Sequence, residues 1–394
     1  MSRRGLDAIV IGAGLVGSAT SLGLARAGLR VAIVEARAPG VWLPEAAPDL
    51  RVFAISPGSS DLLGELGVWP AIAAARAQAY RRMHVWDAAA PEAGVTFHGS
   101  DIGAPFLGHI VEQSLIQSCL WQALERQPGI ARHCPAQLTA LHRDARGVDV
   151  ELDDGSHLNA RLVVGADGSA SPLREKLGIG THGRDYEQCG VVGFIRTEKP
   201  HQDTAWQRFQ PGGPFAVLPF TEGRSSIVWT LPDADAQRVL ALDDTAFARE
   251  LECAFGSHLG TMTPLSPRAA FPLRLKLADR YASERAVLIG DAAHGVHPLA
   301  GQGVNLGFQD VAELLHLTRT AHAAGQDIAD PHLLARYARR RKSDTTFAAY
   351  AFDGIERLFG TDAVLPTLLR GPALGLVDKL TPLKRFFMRH ASGR

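Results

Sequence analysis

Apolar positions fall along this chain in three different rhythms. Residues 6–11, 30–35 and 285–290 are short, almost continuous apolar runs bounded by glycine or charge, as expected of strands buried on both faces of a parallel sheet. Residues 15–27 carry their apolar and small side chains at helical spacing and close on Gly28, so the first 35 residues predict strand, turn, helix, strand. Such a βαβ unit has a right-handed crossover in nearly every known case. Residues 303–323 and 331–358 are again helical.

The middle of the chain alternates instead. Residues 147–152 and 161–165 predict a hairpin turned by Asp153, Asp154 and Gly155. Residues 190–196, 204–209, 215–220 and 225–231 alternate between proline, glycine and charge, and predict consecutive antiparallel strands. The expected fold is α/β. A discontinuous Rossmann-like domain (1–75, 106–184 and 276–345) is interrupted by an antiparallel-sheet domain (76–105 and 185–275) and followed by C-terminal helices (346–394).

Composition narrows the function. The 394 residues include 41 Lys+Arg and 41 Asp+Glu, a zero balance that gives no footing for nucleic-acid binding. The hydrophobic share, 46%, is enough for a sizeable core, so disorder is excluded. Cys119, Cys134, Cys189 and Cys253 form no C-x-x-C pair. That argues against a zinc site or disulfide scaffold, and each is expected as a buried small hydrophobe in a reducing compartment. The start of the chain reads on into a helix rather than ending as a signal peptide, and no stretch is apolar enough to span a bilayer. A cytoplasmic location is expected. The basic run 339–342 is expected to be a solvated helix face.

The candidate chemistry begins at Gly12-Ala13-Gly14-Leu15-Val16-Gly17. In a dinucleotide fingerprint Gly12 permits the tight turn, Gly14 lets backbone approach a pyrophosphate, and Gly17 lets the helix pack on the strand. The helix N-terminus offers N–H groups to the phosphates. Glu35 ends the second strand about 20 residues on, where a carboxylate meets ribose hydroxyls and disfavours a 2′-phosphate. This much suits NAD as well as FAD.

Two later segments separate them. In 162–174 an apolar strand runs into Asp167-Gly168 and then a proline-started helix carrying Arg174. In 287–305 a strand ends on Gly290-Asp291, passes His294, His297 and Pro298, and enters a helix through Gly301, Gln302 and Gly303, with Asn305 following. With these three motifs in this order the chain resembles the flavoprotein monooxygenases typified by p-hydroxybenzoate hydroxylase. Further segments narrow the resemblance to the FAD-dependent hydroxylases of ubiquinone biosynthesis: 49–56, 66–69, 206–209, 213–219, 226–229 and 292–305. Short pieces near the end also match (Leu369-Arg370, Gly375-Leu376 and Leu383-Lys384), so the likeness spans nearly the whole chain.

The resemblance implies FAD as cofactor, with Asp291 on its ribityl chain and Pro298 and residues 301–303 along the isoalloxazine. Asp167 serves the D-G region, and Arg51 lies near the flavin. Where the family has Asn, this chain has Gln113, whose amide offers the same donors and acceptors on a longer stem. The implied reaction is aromatic-ring hydroxylation of a polyprenylated phenol or quinol through a flavin C4a-hydroperoxide, using O2 and NAD(P)H or another electron donor. Other ubiquinone-biosynthesis proteins and the inner face of the cytoplasmic membrane are implied partners. The mixed apolar and basic segment 380–394 fits either a membrane surface or packing on the protein itself. No general base can be named. His294 and His297 are expected to be held by backbone, and Phe215, Val217, Leu218 and Pro219 to be either pocket wall or ordinary core. Two rival functions are a hydroxylase of a soluble aromatic, which needs a buried cationic clamp, and a non-catalytic FAD-binding subunit of a quinone-biosynthesis complex.

Overall fold

The structure is a computed structural model that describes residues 5–295, 303–360 and 392–393, with side chains throughout except at 90–93 and 348–360. Its first sheet is built from the predicted apolar runs together with Ile130–His133, an edge strand with two exposed residues that the apolar pattern did not predict. In spatial order Ala286–Leu288, His157–Gly165, Leu6–Ile11, Val31–Val34 and Ile130–His133 lie side by side. All these pairings are parallel, with Ile11 opposite both Val34 and Gly165, and Gly165 opposite Leu288. The hairpin lies elsewhere along its strand than predicted. Val148–Leu152 pairs with 157–160, and the more apolar 161–165 is given over to the parallel sheet.

The helix Leu15–Arg26 is buried on almost every side, because it is packed between this sheet and the helices Gln113–Arg126 and Gly303–Ala323. Small residues make that possible. A Cβ on Gly23 would collide with Leu315, and one on Gly307 would meet Val16 at 2.6 Å.

The second sheet runs Ala269–Ala278, Thr181–Thr197, Arg224–Pro232, Phe215–Pro219, Thr204–Phe209, Arg82–Asp87 and Ala90–His98. The four predicted strands are all present, and 204–209, 215–219 and 224–232 pair antiparallel in chain order, but the first strand does not neighbour the second. Thr181–Thr197 pairs with Arg224–Pro232, and Thr204–Phe209 pairs in parallel with Arg82–Asp87. Alternation marks a half-buried strand; it carries no information about which partner that strand takes.

Helices Asp233–Ala241 and Asp244–Phe255 cover one face of this sheet, where Phe247, Leu251 and Phe255 pack with Val191, Phe215, Val217, Ile227 and Trp229. The other face meets a small sheet of Val52–Ile55, Gly108–Glu112 and Ala77–Tyr80, through Phe194, Phe220 and Leu218 against Ala54, Ile110 and Tyr80. Phe215 and Val217 are therefore core under the helices, and alternation puts Pro219 on their side. Leu218 faces the small sheet.

Two further expectations need correction. Of the cysteines only Cys189 is buried, and Cys253 is exposed. Cys253 falls off the 247–251–255 stripe of its helix, so it faces water. The basic run is not uniformly solvated either, since Arg341 is buried with 4% exposure. It shares a helix face with Leu334 and Tyr337, at spacings of three and four residues.

Asn305 fastens the small sheet and the turn after it to the Gly303–Ala323 helix. Its Oδ1 accepts from Ser56 N at 2.9 Å and Ser59 Oγ at 2.8 Å, and its Nδ2 donates to Ala54 O at 2.8 Å. Asn305→Leu takes a hydrogen-bond partner from each of three buried groups and is expected to cost about 2–4 kcal/mol of stability. Urea denaturation measures it, and a loss below about 1 kcal/mol would contradict the clamp.

Candidate cofactor site

Parallel strands deliver their loops to one edge, and here three loops leave that edge together. Ala166 N donates to Ile11 O at 2.8 Å and Ile289 N to Gly165 O at 2.9 Å, so the chain turns out of the sheet at Gly12, Asp167 and Gly290 in register. Open α/β sheets bind ligands at this carboxyl edge.

At the first loop Gly12 takes φ +96°, and a Cβ there would strike the backbone of Ala166 and Asp167. A Cβ on Gly17 would strike Gly12 O, which is how the helix comes so close to the strand. Gly14 differs: it is the N-cap of the Leu15–Arg26 helix, with an ordinary φ of −63°, and a Cβ there would meet nothing within 4 Å. The space in front of Gly14 is an open cradle at a helix N-terminus, which suits a pyrophosphate. Glu35 Oε2 accepts from Ala13 N at 2.6 Å and Oε1 from Arg37 N at 3.1 Å. Both oxygens are held, and each keeps a lone pair for a ribose hydroxyl.

The two aspartates of the later motifs are used differently. Asp167 is turned inward: Oδ1 accepts from Ser171 Oγ at 2.5 Å and Oδ2 from Leu173 N at 2.8 Å. Burial raises its pKa, against the lowering effect of these hydrogen bonds. It shapes its loop. Asp291 is exposed, and its carboxylate makes no hydrogen bond to a described residue. Arg174, a buried side chain that sequence reasoning left without a role, joins the two loops. Its Nη1 donates to Ala292 O at 2.9 Å and its Nη2 to Ser169 O at 2.8 Å.

The Gly303–Ala323 helix points its first turn at the same edge, and Gly290 and Gly307 both rest on Val16. Arg51 lies over Phe53 and Phe271, at 5.5 and 5.8 Å, and its carbonyl accepts from Gln113 N at 2.9 Å. Gln113 Oε1 is buried without a partner among the described residues, an acceptor available to a ligand donor. One helical turn on, Gln117 Nε2 donates to Ala13 O at 2.7 Å and ties this helix to the glycine turn. The side chain of Asn305 is committed to the protein. His297, Pro298, Gly301 and Gln302 lie outside the described residues. His294 is held by the carboxylate of Asp310, not by backbone, with Nε2 at 2.5 Å from Oδ2. The open Gly14 cradle, the uncommitted Asp291 and the orphaned Gln113 Oε1 together fit an extended cofactor bearing phosphates and hydroxyls.

Gly14 and Gly12 separate folding from binding. Gly14→Ala is expected to fold with stability within about 0.5 kcal/mol of the parent yet bind FAD at least about tenfold more weakly. Gly12→Ala, strained at positive φ and facing backbone, is expected to lose about 2 kcal/mol or more of stability. Thermal melts and FAD titration of the two variants check both statements, and a tightly FAD-binding Gly14→Ala protein would refute the cradle.

Comparison with known proteins follows the same line. The FAD binding domain family model matches residues 5–348. The ubiquinone hydroxylase UbiL of Rhodospirillum rubrum is 38% identical over 98% of this chain and 89% of its own length. The 3-demethoxyubiquinol 3-hydroxylase of Escherichia coli (strain K12) is 36% identical over 100% of both chains. In fold, the chain superposes on p-nitrophenol 4-monooxygenase PnpA of Pseudomonas putida with TM-score 0.81 at 18% identity, over 99% of each chain. A single-substitution variant of Klebsiella pneumoniae HpxO, solved with FAD, gives TM-score 0.75 at 20% identity over 98% of this chain and 99% of that one. A chain with this edge of loops and these full-length relatives belongs to the FAD-dependent monooxygenases, in the group of ubiquinone-biosynthesis hydroxylases.

Proposed function

We propose that this protein hydroxylates the aromatic ring of a polyprenylated phenol or quinol on the route to ubiquinone, with O2 as oxygen source and NAD(P)H as reductant. The observation that carries this reading is its end-to-end similarity to the Escherichia coli 3-demethoxyubiquinol 3-hydroxylase, at 36% identity over the whole of both chains. Bound FAD supplies hydride acceptance and oxygen activation.

The chain's own residues bind and orient. Gly14 takes the pyrophosphate against the helix end, in a turn that Gly12 and Gly17 shape, and Glu35 takes the ribose hydroxyls. Asp291 takes the ribityl hydroxyls, while Asp167 and Arg174 hold its neighbouring loops. Gln113 Oε1 accepts from the cofactor, with Arg51 beside it. The first turn at Gly303, with the backbone N–H of Asn305, offers a positive dipole end to the negatively charged edge of the reduced ring. The Nε2 of His294 is spent on Asp310, which counts against it as a base for the phenol.

The substrate side is apolar. On the sheet face away from the helices, beyond the part packed against the small sheet, Met83, Val85, Phe97 and Phe209 form an apolar cluster. Such a face supports a prenyl chain and excludes water from the reacting centre. Among the described residues no helix is long and apolar enough to cross a membrane. A prenylated substrate would then be drawn from the bilayer at a peripheral contact; the 380–391 part of the basic, apolar C-terminal segment lies outside the described residues.

The test joins cofactor, donor and product. Purified protein should be yellow with FAD, oxidise NADPH faster with a prenylated phenol than without, and release a product heavier by one oxygen. A strain lacking it should accumulate one under-hydroxylated quinone precursor, cleared by the wild-type gene and not by Asp291→Ala. Protein that takes up no FAD would overturn the reading, and bound flavin with no oxygenated product from any precursor would favour a non-catalytic subunit.

A further inference from the structure

Behind the turn that carries Asp291 lies a buried charge cluster that the binding roles above do not use. His294 and Asp310 have side-chain exposures of 0%, and Arg341 of 5%. Asp310 Oδ1 accepts from Arg341 Nε at 2.6 Å. Asp310 Oδ2 accepts from two donors, Gly290 N at 2.8 Å and His294 Nε2 at 2.5 Å. Arg341 continues to Asp344 at 3.0 Å and to Leu306 O at 3.3 Å.

The ion pair of Asp310 with Arg341 balances charge on its own. The second oxygen of Asp310 does something else: its two donors stand at either end of the turn 290–294, so one carboxylate oxygen brackets Asp291. Gly290 holds φ +57° there, which glycine adopts without strain but also leaves freely, so its N–H bond to Asp310 is what restricts the turn. Burial alone would raise the pKa of Asp310, but His294 and Arg341 outweigh it and keep the carboxylate ionised. Tyr281 closes the far side, its ring centroid 5.8 Å from that of His294. The outer side of the turn is held by Arg174 on Ala292 O.

We propose that Asp310, His294 and Arg341 are positioning residues for the cofactor: a buried clamp that fixes the turn so that the Asp291 carboxylate meets its ligand preformed. The proposal rests on the reading that Asp291 binds FAD. It requires His294 as a donor at the Nε2 position, and its Nδ1 has no partner among the described residues. Arg341 supplies the charge that keeps Asp310 an acceptor for both donors.

Two variants of equal polarity separate clamping from mere filling of space. His294→Gln can place an amide donor where Nε2 stands; His294→Asn falls short of it. Apoprotein of each full-length chain is reconstituted with FAD. His294→Gln should bind within about threefold of wild type, and His294→Asn about tenfold or more weakly. Equal affinities for the two would overturn the clamp. Should neither variant fold, wild-type apoprotein still decides: the Gly290 amide should exchange with deuterium roughly a hundredfold more slowly than an exposed amide, and exchange at the exposed rate overturns it. Asp291→Ala keeps the two readings apart. If it binds FAD like wild type, the cofactor role of Asp291 falls; if it does not, and the His294 pair is alike, only the clamp falls.

Discussion

Two backbone hydrogen bonds, Ala166 N to Ile11 O and Ile289 N to Gly165 O, put the ends of three strands level with one another. Everything proposed for the site depends on that register. Sliding one strand by a single residue would turn its apolar faces over and move its loop by about 3.3 Å, the rise per residue of a strand. The continuous apolar character of 8–11 and 162–164 prevents such a slip only in part, because a strand buried on both faces tolerates either orientation. The glycines finish the job: Gly12 and Gly17 fit where no side chain can, so one register alone lets the helix close on the sheet.

The first sheet apart from its edge strand Ile130–His133, its helix and the glycine turn were legible from sequence because each rests on short-range pattern. Continuous apolar runs, a glycine triplet and a carboxylate at the next strand's end are local signals. The order of the second sheet was not legible, since Thr181–Thr197 meets Arg224–Pro232 across two intervening strands, and nothing in either stretch names the other. The segments 82–87 and 269–278 were missed for a related reason. Both lie next to the ends of the sheet and are partly exposed, and charges such as Arg82, Arg274 and Lys276 blur the alternation.

The candidate site divides in the same way. Residues that offer backbone or an uncommitted carboxylate, such as Gly14 and Asp291, stand in recognisable motifs. Residues that act on other residues do not. Arg174 was visible only as a cation on a short helix, and its work lies 118 positions away, on Ala292. Arg341 was read with its basic neighbours as solvated, although its spacing from Leu334 and Tyr337 puts it on the buried face of its helix. Charge runs average over a helix surface, whereas burial is decided one position at a time.

The strands that end at the cofactor edge come from the beginning, the middle and the last third of the chain. A ligand lying across their loops therefore touches segments far apart in sequence and acts as a noncovalent cross-link. Its hold on the native state grows with its concentration relative to its dissociation constant, by about 2.7 kcal/mol at a hundredfold excess. It also cannot begin until the strand Ala286–Leu288 has been made and seated. Cofactor capture is then a late event in folding, and the protein's resistance to heat and proteolysis should follow the cell's flavin supply as well as its own sequence.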